Sequence, residues 1–242
     1  MSVLGLLTAL AATPADAADF KIFYPEVEQG TLEFESRTFG TFDRNTDRRN
    51  ERNATAELGY GVTDFWFAEV ESEFSKARHD RWRHESLGLE NVFQLTDEGD
   101  AWLDAGFLAE YDFAMERDES DRFIFGPILQ KQVGRVLLTA NIFAAADIGG
   151  EEPEDPQLNY AFEAKYLLTR AFQPGFQLFG APGAFTGFAR DSRQDNRAGP
   201  VLSGTFDTGA GEIRYEAGYL LGLTHDSPSG TAKFVLEYEV AF

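Results

Sequence analysis

Apolar and charged side chains alternate one by one through long stretches of this chain. That rhythm restricts the fold more than any other feature. Residues 103–113 read LDAGFLAEYDF, 160–166 read YAFEAKY, 213–219 read IRYEAGY and 234–242 read FVLEYEVAF. Residues 32–37, LEFESR, follow the same rule. A period of two belongs to a strand, whose successive side chains point to opposite faces; a helix would repeat near 3.6. About ten residues of tilted strand is also the length that crosses a bilayer.

The breaks between alternating runs come in two kinds, and the kinds take turns. Short ones fall at 62–64, 96–100, 133–135, 172–175 and 207–211; polar and mostly longer ones fall at 43–52, 76–84, 116–121, 149–156, 190–197 and 225–230. The short breaks recur roughly every 35 residues, which is a repeating hairpin. The pattern predicts twelve strands, near 30–42, 53–62, 65–75, 85–95, 101–114, 122–132, 135–147, 157–169, 175–187, 198–206, 211–223 and 231–242. Gly180, Pro182 and Gly183 make the ninth the weakest, since Pro cannot donate to a ladder. An even strand count puts both termini on the short-turn side, the periplasmic side in bacterial barrels.

Alternation alone also fits a soluble sandwich or a lipocalin-like barrel. The start of the chain favours export. Residues 1–17, MSVLGLLTALAATPADA, hold an apolar stretch and then Ala15 and Ala17 in an A-x-A cleavage pattern. No Lys or Arg precedes the apolar stretch, a departure from the usual signal peptide. The expected division is a signal peptide over 1–17 and a transmembrane β-barrel over 18–242. Nowhere is there a run of about 20 apolar residues, as a membrane helix needs. The mean hydropathy of −0.31 suits a membrane barrel, in which lipid-facing and lumen-facing residues alternate.

The last strand carries a resemblance. Phe242 ends it, preceded at alternate positions by Val240, Tyr238, Leu236 and Phe234. This resembles the C-terminal signature of Gram-negative outer-membrane β-barrels, and implies recognition by the barrel-assembly machinery. Residues 59–66, GYGVTDFW, look like the first periplasmic turn of porin-like barrels, including a group similar to the meta-pathway phenol-degradation porins. Copper-resistance barrels are also similar but rich in Met and His, and this chain has two Met and three His. The resemblance implies an antiparallel up-and-down barrel in the outer membrane.

With the apolar parity assigned to lipid, the opposite parity lines the lumen. It holds Glu33, Glu35, Glu57, Glu69, Glu71, Glu73, Glu90, Asp104, Glu110, Asp112, Glu163, Glu216, Glu237 and Glu239, against the bases Arg37, Lys165 and Arg214. Closure of the last strand on the first makes Glu237 and Glu239 neighbours of Glu33 and Glu35, then of Glu57 and of Glu69, Glu71 and Glu73. Like charges on adjacent strands repel, so the wall needs water, bound cations or protons. The expected function is a porin-like channel with a wet, cation-favouring lumen for small solutes or ions. The alternatives are a closed structural or binding barrel packed with side chains, and a lipid-modifying enzyme.

Little else carries chemistry. A net charge of −20 argues against nucleic-acid binding, which works by neutralising phosphates. With no Cys there is neither a disulfide nor a thiolate metal site. His79, His84 and His225 are placed in external loops, beside Ser75 and Ser86 and beside Ser227 and Ser229; no catalytic residue is assigned from them. His79, Asp80 and His84 could hold a metal, but a mixed-charge surface is the preferred reading. There Arg78, Arg81 and Arg83, and likewise Arg44, Arg48, Arg49 and Arg52, would meet lipopolysaccharide phosphates. Residues 151–155, EEPED, lack the glycine-punctuated spacing of a calcium hand. No cofactor and no metal site is expected; the expected partners are outer-membrane lipids, the assembly machinery and the solute.

Overall fold

The computed structural model describes residues 20–43, 50–77, 80–116, 119–149, 155–190, 194–225 and 227–242. The expected signal peptide, His79 and most of the acidic 151–155 loop lie outside them. Twelve antiparallel strands close into one barrel. They are β1 (Thr31–Phe42), β2 (Glu51–Gly61), β3 (Trp66–Ala77), β4 (Arg83–Gln94), β5 (Asp104–Ala114), β6 (Asp121–Val133), β7 (Val136–Ile148), β8 (Gln157–Tyr166), β9 (Gln173–Ala184), β10 (Asp195–Asp207), β11 (Glu212–Gly222) and β12 (Gly230–Ala241). Each pairs with its sequence neighbours, and β12 closes on β1 from Thr31↔Ala241 to Phe42↔Gly230. This is the transmembrane up-and-down barrel that the period of two predicts.

Strand boundaries shift from expectation by up to three residues, and two of the shifts shape the wall. β8 stops at Tyr166, because residues 167–172 fold into a turn closed by the Thr169–Phe172 bridge. β10 starts at Asp195, before the expected 198, and so brings Arg197 into the wall. The weak ninth strand does form. Its register with β8 slips between Leu158 and Tyr160, and Gly183 takes a φ of +106° that side-chain-bearing residues rarely adopt.

The outward parity is apolar. Phe34, Leu58, Val70, Leu89, Phe125, Leu138, Phe162, Phe176, Phe234 and Leu236 are all exposed. Tyr60, Phe65, Tyr166 and Phe172 sit exposed at the short-turn ends, as an interfacial aromatic girdle does. Such surface would be an aggregation hazard in water and is matched to lipid.

One placement is corrected. His84 lies on β4, not in a loop: the register slips between Glu73 and Phe74, so that Phe74 faces His84. The imidazole stacks on Phe74 at 4.8 Å between centroids, and its Nε2 lies 2.7 Å from Ser72 Oγ. Ser72 shares the outward parity of Val70 and Phe74, so this pair sits on the outer wall. Of the serines weighed beside His79 and His84, Ser86 donates to Glu73 and Ser75 to Glu85.

Candidate functional site

The inward parity brings the predicted acids together in rungs. Glu35, Glu57 and Glu71 stand opposite one another across β1, β2 and β3, and the rung continues through Gly88 on β4 to Asp112 on β5. The next rung toward the short-turn rim joins Glu69, Glu90 and Glu110. On the other side Glu237 faces Glu35 and Glu239 faces Glu33. Glu73 lies one rung further toward the long loops, where Ser86 reaches it at 2.7 Å.

Two cations among the described residues, Arg37 and Lys21, hold the stretch of this wall from β1 to β4. Arg37 is almost completely buried and spans Glu35 at 3.0 Å, Glu57 at 2.6 Å and Glu71 at 3.5 Å. The second, Lys21, comes from outside the barrel wall. Its Nζ lies 2.7 Å from Glu57, 3.0 Å from Glu69 and 3.1 Å from Glu90, so one ammonium spans three strands. Burial alone would lower its pKa, but Glu57, Glu69 and Glu90 outweigh burial and hold the proton well above the usual lysine range.

Lys21 belongs to a segment, residues 20–29, that turns back at Gly30 and runs up inside the barrel. Gly30 makes the turn at φ +80°. Its N–H donates to Gly61 O at 2.8 Å, and Gly61 has no Cβ to strike the Glu28 carbonyl. Above the turn, side chains of the wall satisfy the segment's backbone. Gln94 accepts from Val27 N–H at 2.8 Å, Asn141 bonds both the N–H and the C=O of Phe23 at 2.9 Å, and Lys233 donates to Phe20 O. A buried backbone needs such partners.

Aromatic rings complete the fit. Phe20 makes edge contacts with Phe39 and Phe179 at 4.9 and 5.3 Å. Phe23 packs edge-on against Phe143, within an apolar patch of Val92, Leu108, Ile124 and Ile128. The lumen wall from β4 to β7 is therefore partly apolar, beside the acids predicted on β4 and β5. Tyr24 OH donates to Glu163 at 2.8 Å and accepts from Lys165 at 2.7 Å; burial first, and Glu163 second, push its phenol pKa up.

The expected wet lumen is not an open bore: residues 20–29 run inside it. Beside them a cavity of about 110 Å³ persists between the segment and β8–β12, lined by Tyr24, Lys165, Ser203, Arg214, Lys233 and Glu237. That holds a few waters at about 30 Å³ each. Of the predicted bases, Arg37 and Lys165 are buried in ion pairs, and Arg214 is half exposed with Glu237 at 3.1 Å and Glu239 at 2.8 Å. Lys21, Arg197 and Lys233 are additional interior cations. Lys233 pairs with Glu216 at 2.7 Å, and Arg197 pairs with Asp195 and stacks over Phe20. Lys233 was readable from its parity with Glu237 and Glu239. The predicted Phe234, Leu236, Tyr238, Val240 and Phe242 lie on the outward parity of β12 and just beyond it.

No known family profile matches the chain, and no curated protein matches it in sequence. Solved structures do. The COG4313 outer membrane channel from Pseudomonas putida F1 superposes with a TM-score of 0.61 at 13% identity, over 96% of this chain and 100% of that one. The NanC porin gives 0.54 at 12% identity, over 87% and 98%. The translocator domain of the autotransporter NalP from Neisseria meningitidis gives 0.52 at 13% identity, over 88% of each chain. What these structures share with the chain is the outer-membrane barrel fold.

Proposed function

We propose that the protein is an outer-membrane channel for passive passage of small solutes or ions, closed in this state by its own residues 20–29. The observation that carries the reading is Lys21. A single tethered ammonium bridges Glu57, Glu69 and Glu90 and so occupies the place that a permeating cation would take. When the segment withdraws, Glu35, Glu57, Glu69, Glu71, Glu90 and Glu110 remain on the wall beside the buried guanidinium of Arg37. Acidic linings favour cations, so the released pore is cation-preferring. The channel and porin among the superposing structures support the reading.

In this reading the protein works without catalysis, the outward residues from Phe234 to Phe242 guide assembly, and the Arg-bearing loops meet lipopolysaccharide. The likeness of residues 59–66 to meta-pathway phenol porins supports placing the chain beside that group.

The test is planar-bilayer conductance of the wild-type protein beside Lys21→Glu, which sets a fourth carboxylate among the three and repels the segment. The expected result is small conductance for the wild type and a several-fold larger, cation-preferring conductance for the variant. Equal, negligible conductance in both would favour the closed structural barrel. Anion preference in the variant would remove the role given to the acidic wall.

A further inference from the structure

We propose a calcium site in the lumen wall, formed by Glu71, Glu110 and Asp112 over Gly88. One carboxylate oxygen from each of the three lies within 4.8 Å of the others. That is the span that one ion can bridge with Ca–O distances of about 2.4 Å.

The register makes the site. Gly88 on β4 stands between Glu71 on β3 and Asp112 on β5. Because it has no side chain, both carboxylates lean into the space above it. A Cβ there would lie 2.9 Å from Asp112 Oδ1 and 3.0 Å from Glu71 Oε1, and 2.5 Å from Glu71 Cγ. Arg37 touches Glu71 through the other oxygen, Oε2, at the long distance of 3.5 Å. Oε1 is the oxygen that turns toward Gly88.

Glu110 supplies the independent observation. It is 7% exposed, and among the described residues it makes no hydrogen bond and no ion pair. The charged groups that act on it most strongly are Asp112, Glu71, Glu90 and Glu73, all of its own sign. A buried carboxylate aimed at other carboxylates calls for a cation. Lys21 reaches only the Glu69 and Glu90 members of its rung, together with Glu57, and makes no ion pair with Glu110. Three hard oxygen donors without nitrogen or sulfur suit Ca²⁺, Mg²⁺ or Mn²⁺ rather than Zn²⁺ or Cu²⁺. Three protein carboxylates with waters completing a flexible shell suit Ca²⁺ better than Mg²⁺, which demands a strict octahedron at shorter distances.

The test is equilibrium dialysis of ⁴⁵Ca²⁺ against the full chain refolded in detergent, free of lipopolysaccharide, in excess Na⁺ and Mg²⁺. The expected result is one Ca²⁺ per barrel in the wild type, lost in Glu110→Gln and kept in Asp207→Asn, which alters an exposed acid at the opposite side of the barrel. No stoichiometric Ca²⁺ in the wild type, or the same Ca²⁺ in Glu110→Gln, overturns the proposal. Heat-modifiable gel migration reports whether each variant is folded. If Glu110→Gln does not fold, Gly88→Ala serves in its place, because its methyl group fills the point where the oxygens converge; retained binding in it overturns the site equally.

Discussion

Asn141 reads the backbone of Phe23 with both ends of its amide. Its Oδ1 accepts from Phe23 N–H at 2.9 Å and its Nδ2 donates to Phe23 C=O at 2.9 Å. The pair reproduces the exchange of two bonds between facing residues of an antiparallel ladder. Asn141→Leu keeps the volume and removes both partners. Stranding a buried donor and acceptor costs about 1–3 kcal/mol each, which the segment can escape by undocking. Trypsin cleavage after Lys21 is expected to accelerate markedly in the variant. An unchanged cleavage rate would show that the amide does not hold the segment.

Lys21 has a distinct pH signature. Burial opposes its charge, and Glu57, Glu69 and Glu90 more than compensate, so its folded-state pKa is raised. A raised lysine pKa stabilises docking at every pH below the unfolded value of about 10.4 and loses that contribution only as pH rises through the folded value. At pH 8.5 its ammonium is therefore protected from acylation. Mass spectrometry after brief treatment with an amine-reactive ester should find Lys76 and Lys131 modified well before Lys21. Equal rates at the three would contradict the clamp.

Arg37 shares Glu57 with Lys21 but belongs to the wall and cannot leave. Arg37→Met is expected to lower barrel stability by about 3–5 kcal/mol, the cost of breaking a buried ion pair. In Lys21→Met the loss falls mainly on docking. The temperature of heat-modified gel migration should drop clearly for Arg37→Met and only slightly for Lys21→Met. The reverse order would mean that the segment, not the guanidinium, carries the wall.

Gly61 lets the segment enter. A methyl group there collides with the Glu28 carbonyl, and overpacking of this kind costs about 1–3 kcal/mol. Gly61→Ala should raise single-channel conductance toward that of Lys21→Glu while leaving the barrel's circular dichroism unchanged. A conductance equal to the wild type's would place the entry elsewhere.

The wall was legible in the sequence and its occupant was not. Strand parity is a local property, so Glu35, Glu57 and Glu71 fall on one face from alternation alone, and closure of β12 on β1 then sets Glu237 beside Glu35. Residues 20–29, FKIFYPEVEQ, have neither a strand's alternation nor a helix's stripe. Their meaning lies in partners far along the chain: Glu90 for Lys21, Asn141 for Phe23, Lys233 for Phe20. Arg197 was missed because its strand begins earlier than its turn residues suggest. Gly88 reads as an ordinary strand glycine until the register puts Glu71 and Asp112 on either side of it.

The inserted segment also has a mechanical consequence. Each strand of the wall is hydrogen-bonded only to its two neighbours, so the sheet by itself resists flattening of the cross-section weakly. Residues 20–24 fasten β2, β3 and β4 through Lys21, β7 through Asn141, β8 through Tyr24 and β12 through Lys233. They are a strut across the diameter. Withdrawing it changes the stiffness of the cylinder as well as its bore, and a lateral load from the bilayer then deforms an empty barrel more than a filled one.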